Sequence, residues 1–341
     1  MEYINNYLNS NSQNKHKIDF VWSSDKELSC LKPLYQYMVA NGWSTNLYKI
    51  YKHSFRNWNT LKKISNLVIL CFDLPLIRLK KSGWNGEFIY VDHGLSPVKY
   101  YAYKYDFFLK SKLLFYPGPV FQRKMELLHP HFKNGLLGGL PKMDTLINSS
   151  IDKKEICNFY GLNPNESIIL FAPSWGGKYN KDWGIHNARH IIDIPNLIIS
   201  PHPADLKFAK KYNAIIPKNH STTELLQIAD VVVSDISSII GEAAILDISI
   251  VQIKLPHFPG CFPEKDKRKS GIAISQELID LESEIVKLEN RPFKVAYLDE
   301  DWILGHVSSP QDLKQNILKA LEEPDEFKKK RQYWANECCW K

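Results

Sequence analysis

The sequence predicts an α/β protein of two domains, each built on a parallel sheet. Three observations carry that prediction. Short apolar runs of strand length alternate with helical segments, the alternation restarts after a turn-rich break near residue 146, and polar residues suited to chemistry fall just after the strands. With 341 residues the chain is long enough for two ordinary cores, and 44% hydrophobic with 24% charged residues is the balance of a soluble globular protein.

Composition also excludes classes. No apolar run approaches the roughly 18 residues of a membrane span, and the first 16 residues are polar with no apolar export core, so the expected location is cytoplasmic, peripheral on the inner face of the cell membrane at most. Six scattered cysteines form no C-x-x-C pair and no Cys/His cluster at zinc spacing, which predicts free thiols and no structural metal. Charge is uneven: residues 1–150 hold 20 Lys+Arg against 10 Asp+Glu, and residues 151–341 hold 24 against 27. The basic half fits an acidic partner, such as a phosphate-bearing acceptor, an anionic membrane surface or nucleic acid, or it is a lysine-rich solubilising surface.

In chain order, residues 18–22 read as a strand, 27–41 as a helix closed by Gly42, and 45–50 as a second strand. Residues 67–72 are a fully apolar third strand, 75–81 a short basic helix, and 87–91 a fourth strand. That strand delivers Asp92-His93-Gly94-Leu95-Ser96-Pro97. Imidazole titrates near neutral pH and can take a proton from an attacking hydroxyl, and glycine lets a substrate approach the backbone; the other reading is a loop histidine that caps the next element.

Residues 100–112 interleave Tyr and Phe with Lys. They fit a membrane interface or an acceptor-stacking surface, or else a core edge with snorkelling lysines. No nucleic-acid motif accompanies them, so no nucleic-acid partner is expected. A strand at 113–116, a helix at 120–128 and a turn-rich stretch at 138–144 close the first domain, 1–146.

The second domain, 147–307, starts with a helix at 153–160 and a strand at 167–172 ending in Pro173-Ser174-Trp175-Gly176-Gly177-Lys178. The Ser and glycines there are expected to leave backbone N–H groups open to a ligand, although the stretch matches no phosphate-loop pattern. A strand at 196–200 closes on Pro201-His202-Pro203, where prolines hold an imidazole still for phosphate or simply for the turn.

A helix at 206–212, a short strand at 214–216 and a helix at 222–229 capped by Ser221 or Thr222 lead to Val231–Val233, a buried strand. It feeds Ser234-Asp235-Ile236-Ser237-Ser238 and a helix that carries Glu242, and a strand opening into a hydroxyl-rich helix start is an anion site. A strand at 248–253, a lid-like loop at 256–271 and a solvated helix at 277–289 follow. Residues 308–341 are expected to form helices, broken near Pro324, that pack back on the first domain.

Five motifs in this order resemble those of the CDP-glycerol glycerophosphotransferase family, which builds teichoic acids and related phosphate-linked capsule polymers. His93-Gly94 with Lys99 is similar to its H-G-T-P-x-K segment, with Leu95-Ser96 in place of Thr. Gly139-Leu140-Pro141-Lys142-Met143-Asp144 is similar to G-x-P-R-x-D, with Lys142 for Arg. Residues 171–175 resemble Y-A-P-T-W, His202-Pro203 matches H-P with the following basic residue displaced to Lys207, and residues 234–238 match S-D-Y-S-S with Ile236 for Tyr.

The resemblance implies a GT-B architecture, two Rossmann-like domains facing across a cleft, with the nucleotide-activated donor on the second. It implies that a hydroxyl of a cell-surface polymer or its lipid-linked precursor attacks the phosphorus bearing glycerol, and that CMP leaves. His93 and His202 are then the catalytic pair, His93 as general base and His202 with Ser237 and Ser238 gripping the diphosphate. Gly94, Ser174, Trp175, Ser234, Asp235 and Glu242 complete the donor side, and Lys99 and Lys142 lie on the acceptor side. No cofactor or metal is expected. Glycosyl transfer from a nucleotide sugar and a non-catalytic scaffold on the same frame stand as alternatives.

Overall fold

The computed structural model describes residues 17–96, 103, 106–148, 150–177, 181–212, 214–217, 219–235, 237–254 and 304–339. Lys99, Lys178, Ile236, Cys261, the loop at 256–271 and the helix at 277–289 lie outside the described residues. The chain divides into two compact units, one of residues 1–94, 103–148 and 336–341, the other of residues 95–102 and 149–335.

The first unit is an open sheet of six parallel strands: β1 (Asp19–Trp22), β2 (Leu47–Lys49), β3 (Leu67–Leu70), β4 (Glu87–Val91), β5 (Leu113–Tyr116) and β6 (Gly135–Leu137). Their order is β2-β1-β3-β4-β5-β6, and every pairing is parallel. Between them run α1 (Asp25–Ala40), α2 (Trp58–Leu61), α3 (Asp73–Lys81), α4 (Asp106–Leu109) and α5 (Pro119–Leu128), and α6 (Pro141–Asn148) packs on α1. Phe20, Leu31, Leu34, Ile69, Ile89 and Phe115 lie in one core between α1 and the sheet. The inner strands β1, β3, β4 and β5 are buried on both faces and so read as short apolar runs, which is why the sequence shows them.

Asp19 and Ser65 pin the amino ends of the sheet: the Asp19 carboxylate accepts from the N–H groups of Asn46 (2.9 Å) and Ser65 (2.7 Å). Gly135-Leu136-Leu137 gave no strand signal because three residues show no periodicity, and β5 supplies the pairing that makes it one. The G-L-P-K-M-D motif, expected as a turn, is instead the start of α6, with Pro141 at a first-turn position that does not need its missing N–H.

The second unit holds α7 (Lys153–Tyr160), β7 (Ile169–Phe171), β8 (Leu197–Ile199), α8 (Leu206–Ala209), α9 (Thr222–Leu226), β9 (Val231–Ser234), α10 (Ile239–Ile245), β10 (Ser249–Ile253), β11 (His306–Ser308), α11 (Leu313–Glu322) and α12 (Lys328–Cys338). Its five described strands are parallel in the order β11-β10-β9-β7-β8. Asp152 caps α7 and Gly161, at φ +69°, ends it in the left-handed conformation; Ser221 and Glu224 close a reciprocal capping box on α9. The expected strand at 214–216 reduces to a single bridge between Ile198 and Ile215.

α11 packs on β9, β10 and β11, while residues 336–341, the end of α12 included, belong to the first unit. The Arg331 guanidinium, 2% exposed, fixes α12 through Asp247 (2.9 Å) and the Pro324 carbonyl (2.8 Å). Among the described residues the five cysteines are free thiols, and no helix is long and apolar enough to cross a membrane.

Candidate active site

In each unit the residues singled out by sequence gather where parallel strands end. The first sheet reverses its order between β1 and β3, the second between β7 and β9, and such reversals leave a crevice at the carboxyl ends.

In the first unit β4 runs buried through Val91 into Asp92, His93 and Gly94. The Asp92 carboxylate, 6% exposed, accepts from the His93 backbone N–H at 2.6 Å and from the Tyr103 hydroxyl, and also draws on the Gly94 N–H and the charge of buried Lys124. Burial nonetheless pushes its carboxyl above the usual carboxylate range. His93 stacks on Phe72, ring centres 3.8 Å apart, and turns Nδ1 toward Asp92 Oδ1 (3.6 Å) and the Tyr90 hydroxyl (3.4 Å). Its side chain is one-quarter exposed. Phe72 packs on one face of the imidazole, and the Asp92 carboxyl beside Nδ1 favours the tautomer with its proton there, which leaves the Nε2 lone pair available.

Asp92 and Tyr103 were not recognised as site residues. Tyr103 is fully buried at φ +67°, and its carbonyl accepts from His129 Nε2 at 2.7 Å. The aromatic-lysine stretch is therefore core at Tyr103 and Phe108, which are both buried, rather than an interfacial surface there. Lys142 is half-buried on α6.

In the second unit the ends of β7 and β9 are joined. Ser234 Oγ donates to the Ala172 carbonyl (2.6 Å), and the Ser174 N–H donates to both Asp235 oxygens (2.9 and 3.1 Å). Asp205 Oδ2 accepts from the N–H groups of Gly176 (2.9 Å) and Gly177 (3.0 Å), and His186 Nε2 donates to the Gly177 carbonyl (2.9 Å). The expectation that this turn leaves its N–H groups open is thus corrected: Ser174, Gly176 and Gly177 all donate inward, because two buried carboxylates stand behind the turn. Asp235 is fully buried and Asp205 is 1% exposed, which suits braces rather than surface ligands. Neither Asp205 nor His186 was expected, since no spacing links them to residue 176.

What this turn does present is Ser174 Oγ, buried without a hydrogen-bond partner, next to half-buried Trp175. His202, after β8, accepts from the Ala204 N–H through Nδ1 (3.2 Å), so its ring caps its own turn in the neutral form and any further donation comes from Nε2. After β9 the helix starts at Ile239, later than expected, with Ser238 as its N-cap; the Ser238 hydroxyl makes no bond to its own helix, and Ser237 and Ser238 are both half-buried. Glu242 is buried in the first turn. Gly241 lies against Leu95, since a Cβ there would stand 2.7 Å from the Leu95 carbonyl oxygen.

Two open parallel α/β sheets, each with polar groups at its carboxyl edge, are the elements of a GT-B-like α/β fold. The model of the CDP-glycerol:poly(glycerophosphate) glycerophosphotransferase family matches residues 1–252, so the chain belongs to that family and is an enzyme of the CDP-glycerol glycerophosphotransferase type. No curated protein matches the sequence.

Among solved structures, the wall teichoic acid polymerase TagF is similar at a TM-score of 0.63 and 18% identity, over 96% of this chain and 85% of that one. A His-to-Asn variant of TagF soaked with CDPG is similar at 0.60 and 16% identity, over 95% and 84%. The S. aureus MnaA–UDP co-structure reaches 0.54 at 11% identity, over 95% and 91%. At these identities the structural likeness concerns the fold.

Proposed function

We propose that the enzyme transfers glycerol phosphate from CDP-glycerol to a hydroxyl of a polyol-phosphate polymer or its lipid-linked precursor. His93 Nε2 takes the proton of the acceptor hydroxyl, the acceptor oxygen forms a bond to the phosphorus bearing glycerol, and the bond from that phosphorus to the CMP phosphate oxygen breaks. CMP leaves, and its departing charge is met by hydroxyl and N–H donors rather than by covalent chemistry. The observation that carries this reading is the clamped imidazole of His93 at the end of β4, with Phe72 on its face and Asp92 beside Nδ1.

On the donor side the reading assigns Ser174, Trp175, Ser237, Ser238 and neutral His202 to contact the nucleotide, and makes Asp235 and Asp205 the braces that hold them. α10 has only seven residues, so the diphosphate is held mainly by these hydroxyls and by His202 Nε2–H, with little from the helix dipole. Lys142 and Lys99 remain the proposed acceptor contacts, the membrane is proposed as the place where a lipid-linked acceptor is met, and no metal takes part.

The test is a donor panel. Incubation with CDP-glycerol, CDP-ribitol and nucleotide sugars, scored for nucleotide release with and without acceptor, is expected to give acceptor-dependent CMP from CDP-glycerol; release from a nucleotide sugar alone would overturn the reading. His93→Ala is expected to lower kcat by about 10²–10⁴-fold while leaving donor affinity unchanged. A loss of donor affinity at unchanged kcat would remove His93 as base.

A further inference from the structure

We infer that the carboxyl edge of the first sheet carries a phosphate track for the acceptor, with Lys26 as its inner contact and Lys49 as its outer one, counted from His93. The inference rests on the transfer reaction proposed above and adds the path along which a polyol-phosphate chain is laid.

Strand order puts the pieces in line. β2, β1, β3 and β4 are consecutive neighbours, and at or just past their carboxyl ends stand Lys49, Trp22, Phe72 and His93 in that order. Trp22 and Lys49 are register partners across β1 and β2. Neighbouring strands lie about 4.8 Å apart, so the edge from β2 to β4 measures about 14 Å. A chain laid along it brings more than one phosphate to the protein.

The side chains occupy this line as cation–ring pairs. Phe72 packs on His93 with ring centres 3.8 Å apart, and Lys26, from the first turn of α1, holds its Nζ 5.4 Å from the centre of the same Phe72 ring. Farther out, Lys49 Nζ lies 4.7 Å from the Trp22 ring. Both lysines are exposed and both rings half-buried, so each ring props an ammonium at the edge of the sheet.

The carboxylates of this edge have other work. Glu27, 3% exposed, accepts from the Ser23 N–H (2.7 Å) and from the hydroxyls of Ser23 and Ser24 (2.8 Å each), which shapes the turn that carries Lys26. Asp25 and Asp73 stand in the first turns of α1 and α3, where the helix N-terminus attracts them.

This arrangement selects the ligand class. A nucleotide brings one diphosphate to one point, whereas two cations on different strands suit a ligand whose charges repeat. An ammonium resting on a ring keeps donors for phosphate oxygens, and an uncharged polymer would gain nothing from it. The acceptor's terminal hydroxyl then lies at His93 and its body runs past Lys26 toward β2.

Acceptors of one, two and four glycerol-phosphate repeats, assayed with saturating CDP-glycerol, test this. The wild-type KM for acceptor is expected to fall with length. Lys26→Gln is expected to raise it about tenfold for the two- and four-repeat acceptors, and Lys49→Gln for the four-repeat acceptor alone, with the loss in KM rather than kcat. Lys26→Arg and Lys49→Arg keep the charge and are expected to retain most of the affinity. Calorimetry of the four-repeat oligomer without donor gives a second readout: the Lys26→Gln/Lys49→Gln double variant is expected to bind at least about tenfold more weakly at an unchanged melting temperature.

A wild-type KM indifferent to acceptor length, or an unchanged acceptor KM in both Gln variants, would overturn the track. A raised KM for CDP-glycerol in place of acceptor would overturn it too, by putting the lysines on the donor. Failure of CMP release from CDP-glycerol, with oligomer binding still dependent on the two lysines, would remove the reaction and support the track; acceptor-dependent release indifferent to both lysines would do the reverse.

Discussion

Asp92 shows at the scale of one residue how catalysis and stability pull apart. Burial raises its carboxyl above the usual range, so the folded protein holds that proton more tightly than the unfolded chain does. The resulting stabilisation is complete below the unfolded value and is lost as pH rises through the raised folded one. Asp92→Asn stays neutral throughout and keeps an acceptor for Tyr103. It is expected to melt at the same or a higher temperature than wild type at neutral pH, with the gap closing toward acid.

The same substitution removes the negative charge beside His93, which favours the imidazolium. The acid limb of kcat/KM is therefore expected to move to lower pH and kcat to fall about 10–100-fold. An unmoved pH profile would leave Asp92 a merely structural group. In the second unit, Ser174→Ala removes a buried hydroxyl that makes no protein hydrogen bond. It is expected to leave the melting temperature unchanged and to weaken CDP-glycerol binding roughly 3- to 10-fold by calorimetry.

At the scale of the element, the second unit depends on short pieces held by specific contacts. α10 can lie close to residue 95 only because Gly241 has no side chain, and Gly241→Ala is expected to destabilise by about 1–3 kcal/mol in denaturant unfolding, since the obstacle is backbone oxygen that cannot rotate away. The turn after β7 depends on Asp205 in the same way. Asp205→Ala would strand two N–H groups in the interior, and a raised KM for CDP-glycerol with a lowered melting temperature is the expected pair of changes.

The elements were legible in proportion to their length and burial. Strand 87–91 and helix 153–160 were read to the residue because a buried parallel strand is apolar throughout and because Gly161 marks a helix end. β6 and β11 have three residues each, too few to carry a period, and exist because a neighbour completes their hydrogen bonds. The G-L-P-K-M-D stretch was misread because glycine and proline mark turns and helix starts alike.

For the whole molecule, family membership sets the type of reaction, and metal independence is a claim to be measured: turnover of CDP-glycerol in excess chelator is expected to equal that in its absence, and recovery of activity on adding back a divalent cation would refute it.

By itself the sequence determined the doubled α/β plan, the positions of His93, His202 and the Ser234–Ser238 stretch after strands, and the family, because buried parallel strands and ordered motifs are local signals. Only tertiary structure decided what those residues touch. Asp92 reaches Tyr103, Asp235 reaches Ser174 and Asp205 reaches Gly176 across 11, 61 and 29 positions of chain, and no local period records a contact made by packing. The glycine turn expected to hold a ligand through its N–H groups proved to be held itself, by two buried carboxylates that accept from its backbone.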